Sequence, residues 1–181
     1  FTFQDAAAVW AQGGTASNLT TLFEGDDYYT TATKNAHSLP TFLGNHDMGR
    51  IGYFVKDKDA AQQRSQLAHS LMYLTRGQPV VYYGDELGFI GAGGDKDARQ
   101  TLFASQVAQY NAETTLEGAA MTAVTDAYPT DGELYTLIAD LADLRASTPA
   151  LTEGAQIERP VDSETAYAFS RVTRETPVEH L

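Results

Sequence analysis

Apolar residues along this chain change their spacing several times, and each change predicts an element. Between Phe3 and Gln12, Ala7, Ala8 and Trp10 share the inward side of a short helix that ends at Gly13-Gly14. Leu19, Leu22 and Phe23 predict one or two further helical turns before the polar Gly25-Asp26-Asp27. The run Leu39-Pro40-Thr41-Phe42-Leu43-Gly44 then predicts a buried strand over 40–45 that stops abruptly in Asn45-His46-Asp47-Met48-Gly49-Arg50. Over 59–76, Leu67, Leu71 and Leu74 recur at i, i+4 and i+7, Ala68 and Met72 widen the stripe, and Gly77 fits the stop of this helix. Pro79-Val80-Val81-Tyr82-Tyr83 is continuously apolar, as expected of a strand with helices over both faces, and it too ends in a polar tip, Gly84-Asp85-Glu86-Leu87-Gly88.

Strand, helix, strand with a crossover of ~30 residues is a βαβ pattern and favours a parallel sheet over a sandwich. Residues 91–130, rich in Gly, Ala and Thr, predict a long irregular insertion with a weak helix around 98–112. Thr130 and Glu133 form a capping-box pattern ahead of Leu134, Leu137, Ile138, Leu141 and Leu144, an amphipathic helix stopped by Pro149. Beyond it, 156–157 and 165–172 read as strands, the second alternating Ala166, Ala168 and Ser170 against Tyr167, Phe169 and Arg171. That shift from helix–strand alternation to strands places a domain boundary near Glu153.

Composition narrows the ligand classes. With 43% hydrophobic residues, ten tyrosines and eight phenylalanines in 181 residues, the chain can bury a sizeable core. Its formal net charge of −12 would repel a polyanion, so nucleic acid is excluded as the expected partner. No apolar run approaches the ~20 residues of a membrane span, so no membrane partner is expected. Cysteine is absent, which rules out disulfides and thiolate metal sites within the chain and leaves the compartment open. Phe1 enters directly on a helix-like stretch, and the chain stops in Val178-Glu179-His180-Leu181, so the reading expects a fragment.

Candidate chemistry concentrates at the two polar tips. A parallel α/β barrel places catalytic side chains at the C-terminal ends of its strands, which marks Asp47 out from an average acid. The plain alternative is a turn made by Asn45 and Asp47 with His46 packed locally. Asp26 and Asp27 followed by Tyr28 and Tyr29 fit an acidic loop with packed aromatics better than a cation or sugar site.

Two of these segments, in this order, resemble the α-amylase superfamily of retaining glycoside hydrolases. Phe42-Leu43-Gly44-Asn45-His46-Asp47 is similar to the motif ending that family's seventh barrel strand, and Gly77-Gln78-Pro79-Val80-Val81-Tyr82-Tyr83-Gly84-Asp85-Glu86-Leu87-Gly88 to the motif spanning the eighth. Leu144-Arg145-Ala146-Ser147-Thr148-Pro149-Ala150-Leu151, ending the following helix, adds to the match. The resemblance implies an α/β fold: residues 1–153 as the second half of a (β/α)8 TIM barrel, and 154–181 as the beginning of a C-terminal all-β domain.

It implies roles as well. Asp47 becomes the third catalytic carboxylate, which binds sugar hydroxyls and distorts the ring, with His46 donating to the same sugar and Asn45 completing the trio. Such hydrogen bonds, strengthening as the ring flattens, suit an oxocarbenium-like transition state. Arg50 contacts a neighbouring sugar or, equally, forms a salt bridge at the rim. Arg99, in Gly94-Asp95-Lys96-Asp97-Ala98-Arg99, resembles a loop arginine that reaches the substrate in some relatives. Glu86 and Tyr83 are supporting residues, Glu86 through hydrogen bonds and Tyr83 through the barrel core.

The family's nucleophile and acid/base belong to the fourth and fifth strands, for which this chain has no counterpart. The resemblance therefore implies a parent acting on α-glucosidic linkages of starch-like glucans by double displacement, and a fragment without that activity. Half a barrel should associate or pack loosely, because its strand edges and interior are uncovered. No cofactor is identifiable in the residues, and the resemblance leaves room for calcium in the parent. Localisation is unknown from the sequence, and an extracellular parent is consistent with the resemblance alone. Two other functions remain to be weighed: a non-catalytic carbohydrate-binding or partner homologue of the same superfamily, and, more remotely, a metal phosphohydrolase built on the His46-Asp47 dyad, for which His37, His69 and His180 are the other histidines.

Overall fold

The computed structural model describes residues 2–118 and 129–173. Two short strands, β1 (Pro40–Phe42) and β2 (Gln78–Val80), run parallel in the register Pro40↔Gln78, Thr41↔Pro79 and Phe42↔Val80. The crossover between them carries α3 (Ile51–Val55), which the apolar pattern did not announce, and α4 (Ala61–Leu74). The βαβ unit is therefore present, but both strands are shorter than expected. Past Phe42 and Val80 the chain leaves sheet geometry for the two polar tips. The apolar run of β2 is not covered on both faces either: Val80 is 47% exposed and Tyr83 39%. Among the described residues β2 has one sheet neighbour, β1.

Ahead of the sheet lie α1 (Thr2–Ala11) and α2 (Ser17–Glu24). The small residues Ala7, Ala8 and Ala11 are buried on α1 and let it lie close to α4. Buried α4 residues are Ser65, Ala68, His69, Leu71, Met72 and Tyr73, whereas Leu67 is 43% exposed. The inward face is thus rotated by about one residue from the expected leucine stripe and takes in Ser65 and His69, which apolar spacing alone does not mark. Leu43, Ile51, Val55, Ile138 and Leu141 complete this core.

His69 sits fully inside it, its Nδ1 2.8 Å from the Ser65 carbonyl, and burial pushes its pKa down from 6.5 to about 4. A histidine depressed in this way lends stability that is present above its unfolded value and lost as pH falls through the folded one. That loss amounts to about 3 kcal/mol between roughly pH 6.5 and 4. Replacing His69 by Asn, which keeps a donor for Ser65, should flatten the decline in urea midpoint over that interval. An undiminished acid sensitivity in the variant would count against this assignment.

Two ends of the core are closed by charged groups from distant segments. At the C-terminus of α4, Arg145 donates to the carbonyls of Tyr73, Thr75 and Gly77 at 2.5, 3.1 and 2.5 Å, and Arg171 to those of Leu74 and Gly154. Of these carbonyls, those of Tyr73, Leu74 and Thr75 belong to the helix end, which leaves them open. Arg76 forks onto Asp26, with Nε to Oδ2 at 2.7 Å and Nη2 to Oδ1 at 2.5 Å. The acidic loop is therefore a salt-bridge anchor, but its aromatics are not packed: Tyr28 is 91% exposed and Tyr29 54%.

The helix α6 (Glu133–Ser147) forms where expected, without the capping box. Gly132 is the N-cap residue and Thr130 takes no part. The carboxylate of Glu117 accepts from Leu134 N instead, and Gln62 bridges Glu117 and Glu133. Within the insertion the predicted weak helix contracts to α5 (Ala108–Ala112), preceded by a 3-10 turn at Asp95–Ala98.

After α7 (Pro149–Glu153), β3 (Ala155–Arg159) and β4 (Ala168–Val172) pair as an antiparallel hairpin. It packs back on the helices: Tyr167 stacks on Phe23, Trp10 Nε1 donates to the Thr165 carbonyl at 2.7 Å, and Thr20 Oγ1 donates to Glu158. The expected alternation fails at Arg171, which is fully buried beside buried Ser170 because it reaches for the end of α4. Residues 174–181, which complete the predicted β-domain segment, lie outside the described residues, as does His180. No helix of the described residues is long and apolar enough to cross a membrane.

Candidate functional site

The first polar tip is a turn that Asn45 holds together. Asn45 N donates to Gly49 O at 3.0 Å, while its Oδ1 accepts from Asp47 N at 2.8 Å and Met48 N at 2.7 Å. A side-chain amide closing the turn on backbone two and three residues ahead is an Asx arrangement. Gly49 completes it at φ +87°, where a Cβ would meet the Gly93 carbonyl at 2.9 Å. The turn lifts His46 and Asp47 outward, leaving their side chains 60% and 58% exposed with Nε2 and Oδ1 3.4 Å apart.

A second segment closes on them from the insertion. Arg99 places Nη2 3.6 Å from Asp47 Oδ1 and 2.6 Å from Asp95 Oδ1, and its Nε donates to the His46 carbonyl at 3.3 Å. Asp95 N donates to the Asp47 carbonyl at 3.2 Å. Asp95 holds φ +54°, a conformation that costs a non-glycine residue of order 1 kcal/mol. His46, Asp47, Asp95 and Arg99 thus form one exposed polar cluster in which a single guanidinium bridges two carboxylates.

Beneath the cluster, Arg50 turns inward. Its side chain is fully buried, with Nη1 2.7 Å from both Asp85 Oδ1 and the Tyr83 carbonyl and Nε 2.9 Å from Gln100 Oε1. The Tyr82, Tyr83 and Phe89 rings lie 4.4, 5.2 and 5.4 Å from its guanidinium carbon. Burial pushes Asp85 up to about 6 against the opposing pull of Arg50, and its Oδ2 has no hydrogen-bond partner. Gly44 permits the approach, since a Cβ there would sit 3.0 Å from that same oxygen.

Of the residues named from sequence, His46, Asp47 and Arg99 come together at the surface, and Asn45 braces them from below. Arg50 is a correction: a guanidinium with no exposure and its nitrogens turned toward Asp85 and Gln100 is a buried salt bridge rather than a sugar contact. Tyr83 supports through its carbonyl, and Glu86 folds back so that Oε2 accepts from Gly84 N at 2.8 Å, fixing the second tip locally. The acid that joins the two tips is Asp85, which the reading passed over for its neighbour Glu86. Gln100 and Asp95 were also missed. Asp85 had a legible signal, being the first acid after an apolar strand, whereas Gln100 had none. His69 and His37 do not join the His46-Asp47 dyad, and among the described residues no three His, Asp or Glu side chains converge to hold a metal ion.

Comparison with known proteins matches residues 1–154 to the family model of the α-amylase catalytic domain. An α-amylase of Streptomyces lividans is 51% identical over the whole chain, which spans 20% of that enzyme's length. A cyclomaltodextrin glucanotransferase of Paenibacillus macerans is 27% identical over 75% of the chain and 15% of its own length. The crystal structure of an Anoxybacillus α-amylase superposes on 96% of this chain and 32% of its own with a TM-score of 0.69 at 21% identity, a likeness of fold.

Proposed function

Because the chain belongs to the α-amylase catalytic-domain family, we propose that it supplies one wall of the substrate site of a glycosidase acting on α-glucosidic linkages in starch-like glucans. The observation that carries this reading is the Asn45-His46-Asp47 turn, which holds a carboxylate and an imidazole in solvent at the end of a parallel strand. In this reading 1–153 is the second half of the catalytic barrel, and the β3–β4 hairpin, within 154–181, opens the β domain that follows.

Asp47 accepts hydrogen bonds from two sugar hydroxyls, and His46 donates to the same ring. A carboxylate suits the task because it only accepts, so the hydroxyl hydrogens must point at it. Contacts that tighten as the ring flattens toward an oxocarbenium ion lower the barrier rather than merely hold the ground state. Arg99 bridges Asp47 to Asp95 and fixes the carboxylate between sugars. Double displacement requires a nucleophile and an acid/base ~5 to 5.5 Å apart across the scissile bond. We assign both to residues outside these 181.

The test uses maltoheptaose with the full-length protein and with the 181-residue chain alone. The full-length protein should release product first as the α-anomer by NMR, the signature of retention, and the isolated chain should release no reducing sugar. Release of β-anomer would refute the double displacement. Turnover by the 181 residues alone would refute the division of catalytic groups, and binding without turnover by the full-length protein would favour a sugar-binding homologue. On a size-exclusion column the isolated chain should elute as associated species, and a compact monomer with a cooperative melt would contradict the incomplete barrel.

A further inference from the structure

The buried Arg50 cluster has more in it than a salt bridge needs. Three chain segments end on one guanidinium: the tip of β2 through Asp85 and the Tyr83 carbonyl, the insertion through Gln100, and the Asn45–Gly49 turn through covalent continuity. Gln100 continues the chain of bonds to Glu113, its Nε2 donating to Oε2 at 2.7 Å. From the opposite side Gln4 of α1, itself buried, donates to the Gly49 carbonyl at 3.3 Å. The turn that carries His46 and Asp47 is therefore held at its exit by Gln4 of α1, by the tip of β2 and by Gln100 of the insertion, while the Asp47 carboxylate itself meets the insertion through Arg99.

We propose that Arg50 is a positioning residue which, through Asp85, the Tyr83 carbonyl and Gln100, sets the angle at which His46 and Asp47 meet the substrate, and that its Gln100 arm ties this angle to the loop carrying Arg99. The inference rests on the glycosidase reading of the site. The chemistry favours arginine specifically. A planar fork reaches a carboxylate oxygen, a carbonyl and an amide oxygen at fixed relative angles while lying against three aromatic rings, whereas an ammonium on a flexible stem cannot hold all three. Arg99 is one residue from Gln100, so a shift of the buried arm moves the group that bridges Asp47 to Asp95.

A double-mutant cycle in the full-length protein separates positioning from plain support. Arg50→Lys keeps the charge opposite Asp85 and should lower kcat/KM for maltoheptaose about 30-fold, chiefly in kcat, whereas in a His46→Ala background the same change should cost less than about 3-fold. Equal losses in both backgrounds would mean that Arg50 does not act through the turn and would overturn the proposal, as would an unchanged kcat/KM. If Arg50→Lys does not fold, Gln100→Met removes one arm at nearly constant volume and should lower kcat/KM about 5-fold, with the same collapse in the His46→Ala background. A crystal structure of either variant gives a readout independent of activity: the Asp47 carboxylate should be displaced, and an unmoved turn would refute the proposal. Absence of glucan turnover in the unaltered protein would fail the glycosidase reading instead, and the displaced carboxylate alone would then decide the role of Arg50.

Discussion

Replacing Asp47 by Asn in the full-length protein should lower kcat on maltoheptaose about 1,000-fold while leaving KM within about 3-fold. The change substitutes an amide, which donates on one side, for a carboxylate that accepts on both, so one sugar hydroxyl loses its partner and the charge opposite Arg99 disappears. Loss of an interaction realised mainly in the flattened transition state appears in kcat, and 1,000-fold corresponds to about 4 kcal/mol of barrier. Asp47 is more than half exposed and its side chain braces nothing in the core, so the melting temperature should stay within ~2 °C. Steady-state kinetics with a thermal melt checks both halves. A raised KM at unchanged kcat would show that Asp47 binds sugar and transition state alike, and would remove it from the catalytic group.

Arg145 carries the largest expected effect on stability. Arg145→Met preserves much of the side-chain volume but strips donors from the Tyr73, Thr75 and Gly77 carbonyls, at a site where Arg145 is only 7% exposed. Burial pushes the guanidinium pKa down from its ordinary value, and the three carbonyls accept the hydrogen bonds that the buried cation would otherwise give to water. Leaving three buried acceptors without donors should cost about 3 to 5 kcal/mol, read from urea unfolding. The segment that loses its anchor also precedes β2, so parallel pairing with β1 should weaken with it. A cost below about 1 kcal/mol would show that solvent reaches these carbonyls.

What the sequence made legible was periodic and local. The βαβ order, α1, α6 and the polar ends of both strands follow from apolar spacing and from Gly and Pro punctuation within a dozen residues. What it concealed depended on distance along the chain. The cap of α6 comes from Glu117, 17 positions before Leu134. The partners of Arg50 lie 35 and 50 positions away, so one residue three places after Asp47 could be read as a sugar contact or as a rim pair until the fold placed Asp85 beside it. Leu67 shows a different failure: its hydrophobicity suggested an inward position, but it is largely exposed while Ser65, Ala68 and His69 are buried. At the site itself the motifs single out His46, Asp47 and Arg99 from their neighbours in sequence, whereas the bridge that Arg99 makes between Asp47 and Asp95 became visible only when the insertion was seen to fold over them.

In the function proposed for this chain, His46 and Asp47 grip one sugar ring, and the attacking and proton-donating carboxylates come from outside these residues. The most direct measurement is a crystal structure of the full-length protein with a non-hydrolysable maltooligosaccharide. Both Asp47 oxygens should lie within about 3 Å of hydroxyls on one ring, with His46 Nε2 on the same ring and two further carboxyl groups from outside this segment flanking the glycosidic bond. A glucan bound with no contact to His46 or Asp47, or with Asp47 itself poised in line with the anomeric carbon, would contradict it.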